Sequence, residues 1–95
     1  MIRVVARDHI APGKKAEALE IYRPLVERTR KEKGCIMYTL NESTADPDCL
    51  CMIECWETEA DLQAHLSGKE FLETVAKLGA LMCDKTGIDV YKDLL

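Results

Sequence analysis

Residues 49–56, Cys-Leu-Cys-Met-Ile-Glu-Cys-Trp, decide how this chain of 95 residues folds. In a β-strand, alternate side chains point to opposite faces. One face would carry Cys49, Cys51, Ile53 and Cys55, and the other would carry Leu50, Met52, Glu54 and Trp56. A sheet with one face in water alternates apolar and polar residues more cleanly than this. The segment therefore predicts a strand that is covered on both faces.

The segments around this strand show three further strand patterns and two helical regions, the second of which is interrupted at Ser67-Gly68. The predicted strands cover residues 1–10, 35–42, 49–57 and 86–95. The predicted helices cover residues 14–33, 58–66 and 69–82. Turn-forming residues at 43–48 join the second and third strands into a hairpin. This order predicts a single α+β domain over residues 1–95, a βαββαβ sandwich whose four-stranded antiparallel sheet has its helices on one face.

Local signals indicate where the helices start, bend and stop. Pro24 removes a hydrogen bond inside the first helix, so we expect a kink there without a break, and Gly34 is the expected stop. Thr58, with Asp61 three residues later, resembles an N-cap and its capping-box partner. The residues expected to face inward are Ala18, Leu19, Tyr22, Leu25, Val26 and Thr29 in the first helix and Phe71, Leu72, Val75, Leu78 and Met82 in the last.

The second apolar face of the sheet needs a cover, and a second copy of the chain is the simplest one. Two-fold pairing is the commonest form of assembly, so we expect a homodimer joined sheet to sheet. The alternative is a monomer whose final strand folds across that face.

Five cysteines are present, at positions 35, 49, 51, 55 and 83. The number is odd and no C-x-x-C pair occurs, so neither a disulfide framework nor a zinc site is indicated. Free cysteine behaves as a small hydrophobic residue. We expect Cys49, Cys51 and Cys55, which share one face of a strand, in the core or at an interface, with a metal or redox role as the alternative.

Composition limits the kinds of partner. Hydrophobic residues make up 47% and charged residues 32% of the chain, as in an ordinary soluble globule. A net charge of −4 with mixed signs gives no electrostatic reason to bind nucleic acid or an anionic membrane. No uncharged run, including residues 49–53, approaches the about 20 apolar residues of a membrane span, and residues 1–10 carry three charges where a signal peptide would be apolar. We expect a cytoplasmic protein whose partners are small neutral molecules or another subunit.

Four residues are candidates for chemistry. The ordinary pKa of a histidine suits His65 to proton abstraction, although a helix-end histidine bonded to a carbonyl is the alternative. Glu54 lies in the most apolar strand, where it is a candidate base or orienting group. The alternative is an ion pair with Arg3, Arg7 or His9, on the neighbouring strand or across the dimer. Trp56 offers a flat wall for an aromatic ligand, or simply packs. His9 is expected at the surface or an interface.

Several motifs of cofactor enzymes are missing from the sequence. It contains no glycine-rich phosphate loop, no serine elbow and no histidine pair at metal-ligand spacing on a helix. We therefore expect no tightly bound cofactor and no metal.

The chain resembles the antibiotic biosynthesis monooxygenase domain, which includes the small quinol monooxygenases. The matching features are Gly34-Cys35, Glu54-x-Trp56, Leu62, His65, Phe71 and the helix sequence Arg23-Pro24-Leu25-Val26. The resemblance implies a ferredoxin-like dimeric α+β barrel with a pocket between sheet and helices. It also implies cofactor-free oxidation of a small aromatic quinol or phenol by molecular oxygen. His65 would be the base, beside Glu54 and Trp56. The other expected substrate-binding residues are Tyr38, Met52, Phe71 and His9.

One position departs from the pattern of this family. Many relatives have a second histidine just before the aromatic residue matched by Phe71, where this chain has Glu70. No histidine follows Glu70, which argues against the haem-degrading branch. Residues 76–82 also resemble a branch that isomerises a phosphorylated sugar. Two other functions therefore stay open, an isomerase or other non-redox enzyme acting on a small carbonyl compound, and a non-catalytic ligand-binding dimer.

Overall fold

Seven elements follow one another along residues 1–83 and 86–95, which are the residues that the structure, a computed structural model, describes. They are β1 (Ile2–His9), α1 (Lys15–Thr29), β2 (Cys35–Glu42), β3 (Cys49–Trp56), α2 (Glu59–Leu66), α3 (Lys69–Gly79) and β4 (Gly87–Lys92). The strands form one antiparallel sheet in the order β2-β3-β1-β4. This confirms the predicted α+β sandwich. None of the helices in the described ranges is long and apolar enough to cross a membrane.

Strand β3 lies inside the sheet, between β2 and β1. All four side chains of its inner face are buried, namely Leu50, Met52, Glu54 and Trp56. The outer face is covered less evenly, since Cys55 is buried but Ile53 is 40% exposed. Strand β4 pairs with β1 at the sheet edge. The alternative in which the final strand folds across the outer face is therefore wrong, because its backbone hydrogen bonds hold it within the sheet.

Helix α1 packs on the sheet through one stripe of residues. Ala18, Tyr22, Leu25 and Thr29 are buried at spacings of three and four. Leu19 and Val26 are partly buried beside them. Pro24 is exposed and the helix continues through it, so the missing hydrogen bond is on the side where water can reach the free carbonyl.

The first helix is shorter than predicted. It ends at Thr29, and tighter hydrogen bonds then join Lys31 N to Arg28 O at 3.0 Å and Glu32 N to Thr29 O at 3.0 Å. These three-residue turns carry the chain to Gly34, whose φ is +81°. Glycine adopts this left-handed conformation without steric cost, so Gly34 closes the turn into β2 and does not end the helix itself.

The predicted start of α2 is confirmed. Thr58 Oγ1 accepts a hydrogen bond from Asp61 N at 3.1 Å, as an N-cap should. The predicted break at Ser67-Gly68 is also present, because Gly68 N donates to His65 O at 3.1 Å before α3 begins.

The predicted inner face of α3 is partly wrong. Thr74 and Leu78 are its buried residues, whereas Leu72 is 54% and Val75 is 46% exposed. The helix ends at Gly79, three residues before the predicted end. Its contact stripe therefore runs through Thr74 and Leu78, which leaves Leu72 and Val75 about half exposed in the single chain.

The strand ends also differ from the predicted ranges. β1, β3 and β4 cover residues 2–9, 49–56 and 87–92, so each is shorter than predicted. Ile10 forms an isolated bridge with Met82, which fastens the segment after α3 to the end of β1. All five cysteines are free thiols, and Cys55 is the buried one.

We predict that alanine at Gly34 destabilises the protein more than alanine at Gly13. Both glycines have a φ near +80°, and this conformation costs an alanine about 1–2 kcal/mol. At Gly34 a methyl group would also collide with the Asp61 carboxylate, whereas nothing lies within 4 Å at Gly13. Displacing Asp61 disturbs the N-cap of α2, which costs roughly 1 kcal/mol more. Chemical denaturation should show this difference, and equal losses at the two positions would contradict it.

Candidate active site

A cavity of about 420 Å³ lies between the sheet and the helices. The strands contribute Ala6, Asp8, Tyr38, Met52 and Glu54, and the helices contribute Tyr22, Leu25, Leu66, Phe71, Val75 and Leu78. Most of this lining is apolar. We call this space the larger cavity, and its volume suits a small aromatic molecule.

Glu54 is the carboxylate in the middle of this apolar lining. It is buried, and its Oε1 accepts a hydrogen bond from the Trp56 indole Nε1 at 3.0 Å. Burial raises the pKa of Glu54 above its ordinary value, while the Trp56 hydrogen bond and the His65 imidazole oppose that shift. A carboxyl in such surroundings is a better proton acceptor than one in water.

Tyr38 lies beside Glu54, because the two residues face each other in the register of β2 and β3. Burial, and then the nearby Glu54 carboxylate, raise the pKa of the Tyr38 hydroxyl. The tyrosine therefore keeps its proton and can act as a neutral hydrogen-bond donor at the wall of the larger cavity.

His65 is buried in α2 and is surrounded by aromatic rings. Its ring centroid lies 4.7 Å from Phe71, 4.9 Å from Trp56 and 5.3 Å from Tyr38. Its Nδ1 lies 2.7 Å from Glu32 Oε1. Its Nε2 is buried and has no hydrogen-bond partner among the described residues. The expected alternative, a histidine bonded to a carbonyl, is wrong, since the partner is a carboxylate.

His65 lines a second and smaller cavity of about 190 Å³. The lining residues of this smaller cavity are Leu25, Arg28, Thr29, Glu32, His65, Glu70 and Phe71. Leu25 and Phe71 also line the larger cavity. The two cavities are therefore neighbours that share one apolar wall, and His65 belongs to the smaller one.

A second polar pair lies on the wall of the larger cavity. Tyr22 Oη donates a hydrogen bond of 2.5 Å to Asp8 Oδ2. Burial raises the pKa of Asp8 and is opposed by this hydrogen bond. The pair ties α1 to β1. Asp8 faces Leu50 in the register, four residues along β3 from Glu54, so the two carboxylates lie toward opposite ends of the sheet floor.

The structure brings together most of the residues predicted for the site. Glu54, Tyr38, Met52 and Phe71 line the larger cavity. Trp56 is completely buried and is not part of the lining. It packs against His65 and donates a hydrogen bond to Glu54. This corrects its expected role as a flat wall for the ligand.

His9 requires a second correction. It pairs with Cys49 in the register, so it lies on the outer face of the sheet, opposite the larger cavity. It is therefore not among the residues around the cavity. Arg3 and Arg7 share that face and pair with Asp93 and Asp89, so the expected pairing of Glu54 with one of these basic residues is wrong.

Sequence reasoning missed three residues of this region, and the signals differ. Tyr22 was expected in the buried stripe of α1, and Asp8 follows Ala6 on the inner face by simple alternation. Their placement could have been found. Glu32 lies 33 residues before His65, and no periodicity connects the two.

Comparisons with known proteins agree with this architecture. The family model of the antibiotic biosynthesis monooxygenase domain matches residues 1–77. A crystal structure of an antibiotic biosynthesis monooxygenase superimposes with a TM-score of 0.93 at 30% identity and covers all of both chains.

Two curated proteins are also similar. YcnE of Bacillus subtilis, whose name places it provisionally among the monooxygenases, is 32% identical over 77 residues, which is 81% of each chain. Protein sll1783 of Synechocystis sp. is 30% identical over 91 residues. The match covers 96% of the present chain and 62% of that relative's length. By sequence and by fold, this chain belongs to the antibiotic biosynthesis monooxygenase family.

Proposed function

We propose that this protein is a cofactor-independent monooxygenase that oxidises a small aromatic quinol or phenol with molecular oxygen in the larger cavity. The observation that supports this most directly is Glu54, a buried carboxylate with a raised pKa at the wall of a mostly apolar cavity. A phenol fits such a site, because its ring packs on apolar side chains while its hydroxyl donates to the carboxylate.

In the proposed reaction, Glu54 takes the proton of the phenol hydroxyl. The phenolate then gives one electron to oxygen, and the resulting radical pair combines at a ring carbon that carries hydrogen. The ring-bound peroxide loses water, so one oxygen atom stays on the ring and the other leaves with two hydrogens. The product is a quinone. Electron transfer starts from the anion, so the rate depends on a base that works inside a dry cavity.

The residues around Glu54 support this role. The Trp56 indole holds one carboxylate oxygen in place at 3.0 Å. Tyr38 can donate to an oxygen on the substrate, since it keeps its proton. Met52 and Phe71 add apolar surface to the cavity. Glu70, where relatives often carry a second histidine, lines only the smaller cavity, so the proposed chemistry does not require an imidazole there.

A second candidate is an isomerase or other non-redox enzyme acting on a small carbonyl compound. The raised pKa of Glu54 favours it, because a carboxyl with such a pKa can return a proton as well as remove one. Product formation without oxygen would support this candidate. Ligand binding without turnover under either condition would instead support the binding module.

We also propose that the protein is a homodimer joined through the outer faces of its sheets. That face exposes apolar side chains, with Met37 at 38%, Ile53 at 40% and Tyr91 at 58%. They share the face because Met37 pairs with Cys55 and Tyr91 with Arg3 in the register. Exposed apolar surface of this kind marks an interface. The Arg3–Asp93 and Arg7–Asp89 ion pairs lie on the same face.

We predict that Glu54→Gln lowers the rate of oxygen uptake with reduced naphthoquinones or anthrols by about 100-fold or more. The glutamine amide oxygen can still accept the Trp56 hydrogen bond, but the amide cannot take the proton of the phenol. In the wild type, a raised pKa means that the carboxylate is lost at a higher pH than usual. Activity should therefore rise with pH through that pKa and fall in acid.

An oxygen electrode measures this rate, and Glu57→Gln is the matched control. Glu57 is exposed and follows β3 directly, so its variant should keep wild-type activity. Absence of uptake by the wild type across the panel of substrates would contradict the proposed oxygenase.

We predict that the wild-type chain of 10.7 kDa sediments at about twice that mass at micromolar concentration. Ile53→Lys should shift it to the monomer, because a charge would be buried at the centre of the interface. Leu72→Lys is the control, since Leu72 is similarly exposed but lies on α3. A monomeric wild type, or equal effects of both variants, would rule out this interface.

A further inference from the structure

We propose that Glu32 is a positioning residue that holds the His65 imidazole with its proton on Nδ1. The bare Nε2 of His65 then holds the substrate proton during the reaction. This inference rests on the function proposed above. It assigns a role to a carboxylate outside the larger cavity and explains why His65, which does not line that cavity, has a buried nitrogen without a partner.

The hydrogen bond between the two residues sets the tautomer. Glu32 Oε1 lies 2.7 Å from His65 Nδ1, and a carboxylate can accept a hydrogen bond but cannot donate one. The proton of the neutral ring is therefore on Nδ1. The lone pair is on Nε2, which is where a proton can be received.

The surroundings of Nε2 make this arrangement costly unless the nitrogen is used. His65 is 2% exposed, and the rings of Tyr38, Trp56 and Phe71 surround it. A buried nitrogen without a hydrogen bond destabilises the folded protein, because it has lost its hydration without gaining a partner. Unsatisfied buried groups of this kind are rare in folded proteins. An Nε2 that takes up a proton in each turnover gives this group a function.

Trp56 contacts both His65 and Glu54. The Trp56 ring lies 4.9 Å from the His65 ring, and its indole bonds Glu54. The imidazole is also close enough to Glu54 to act on the pKa of that carboxyl. His65 and Glu54 thus share Trp56 as a neighbour, with Glu54 at the wall of the larger cavity and His65 at the smaller one.

The proposed proton steps balance. Glu54 takes the phenol proton, and a rotation of its side chain then carries that proton to Nε2, which has no hydrogen-bond partner in the resting structure. The imidazole becomes an imidazolium beside the Glu32 carboxylate. Glu54 is then ionised again while oxygen reacts. Nε2 returns the proton when the peroxide leaves as water, and the ring regains the tautomer with which it began. Glu32 stabilises the cation but does not itself become protonated, as in other carboxylate–histidine pairs.

The test compares Glu32→Ala, Glu32→Gln and Glu32→Asp with the wild type by two measurements. The first is a two-bond proton–nitrogen correlation spectrum in alkaline buffer, which shows the tautomer of the neutral ring. Only two histidines are present, so His9→Gln assigns the signals. The wild type and Glu32→Asp should carry the proton on Nδ1. In Glu32→Gln the ring proton should move to Nε2, because the glutamine amide can donate a hydrogen bond to Nδ1.

The second measurement is oxygen uptake. Glu32→Ala and Glu32→Gln should lose about 100-fold in kcat, and Glu32→Asp should retain most of it. Added formate should partly restore Glu32→Ala, because a small carboxylate can enter the smaller cavity beside His65. It should not restore Glu32→Gln, whose side chain still fills the place.

Glu70→Gln is the matched control, because Glu70 lines the same smaller cavity but His65 donates its hydrogen bond to Glu32. It should leave both the spectrum and kcat unchanged. Variants of Glu32 that keep the wild-type tautomer and rate would overturn the proposal. If the wild type consumes no oxygen at all, the proposed function fails and the proton-holding role falls with it. The spectrum still decides whether Glu32 positions the ring.

Discussion

The hydrogen bond between Trp56 and Glu54 holds the centre of this molecule together. A carboxylate on the inner face of a central strand is expensive to bury unless it has a partner. The indole two residues along the same face supplies one, at 3.0 Å. Because this partner is a neutral donor and not a cation, the carboxylate can stay close to the apolar cavity with a raised pKa. Stability and reactivity thus depend on the same contact.

Trp56 also connects the two cavities. On one side it supports Glu54 at the wall of the larger cavity, and on the other it packs against His65, which faces the smaller one. Phe71 and Leu25 separate the two spaces. This division places the Glu54 carboxylate at the larger cavity and the His65 imidazole at the smaller one. Both members of the expected acid–base pair are therefore present, but only Glu54 lines the site.

The candidate site could be predicted in part. Alternation along β3 correctly put Met52 and Glu54 on the same face, and resemblance to the family added Phe71. The same alternation excludes His9 from the cavity, since it shares the outer face with Arg3 and Arg7. The role of Trp56 could not be read in this way, because a side chain can face inward and still lie beneath the lining.

Local patterns by themselves determined the element order, the N-cap at Thr58, the break after Leu66 and the two faces of β3. Each of these depends on residues within a few positions of one another, so the sequence carries the whole signal. Only the tertiary structure decided which inward residues line a cavity and which support it. It also joined Glu32 to His65 across 33 residues and left Leu72 and Val75 exposed. These outcomes depend on how α1, α2 and α3 pack on one sheet, and such contacts between distant segments leave no periodic pattern in the chain.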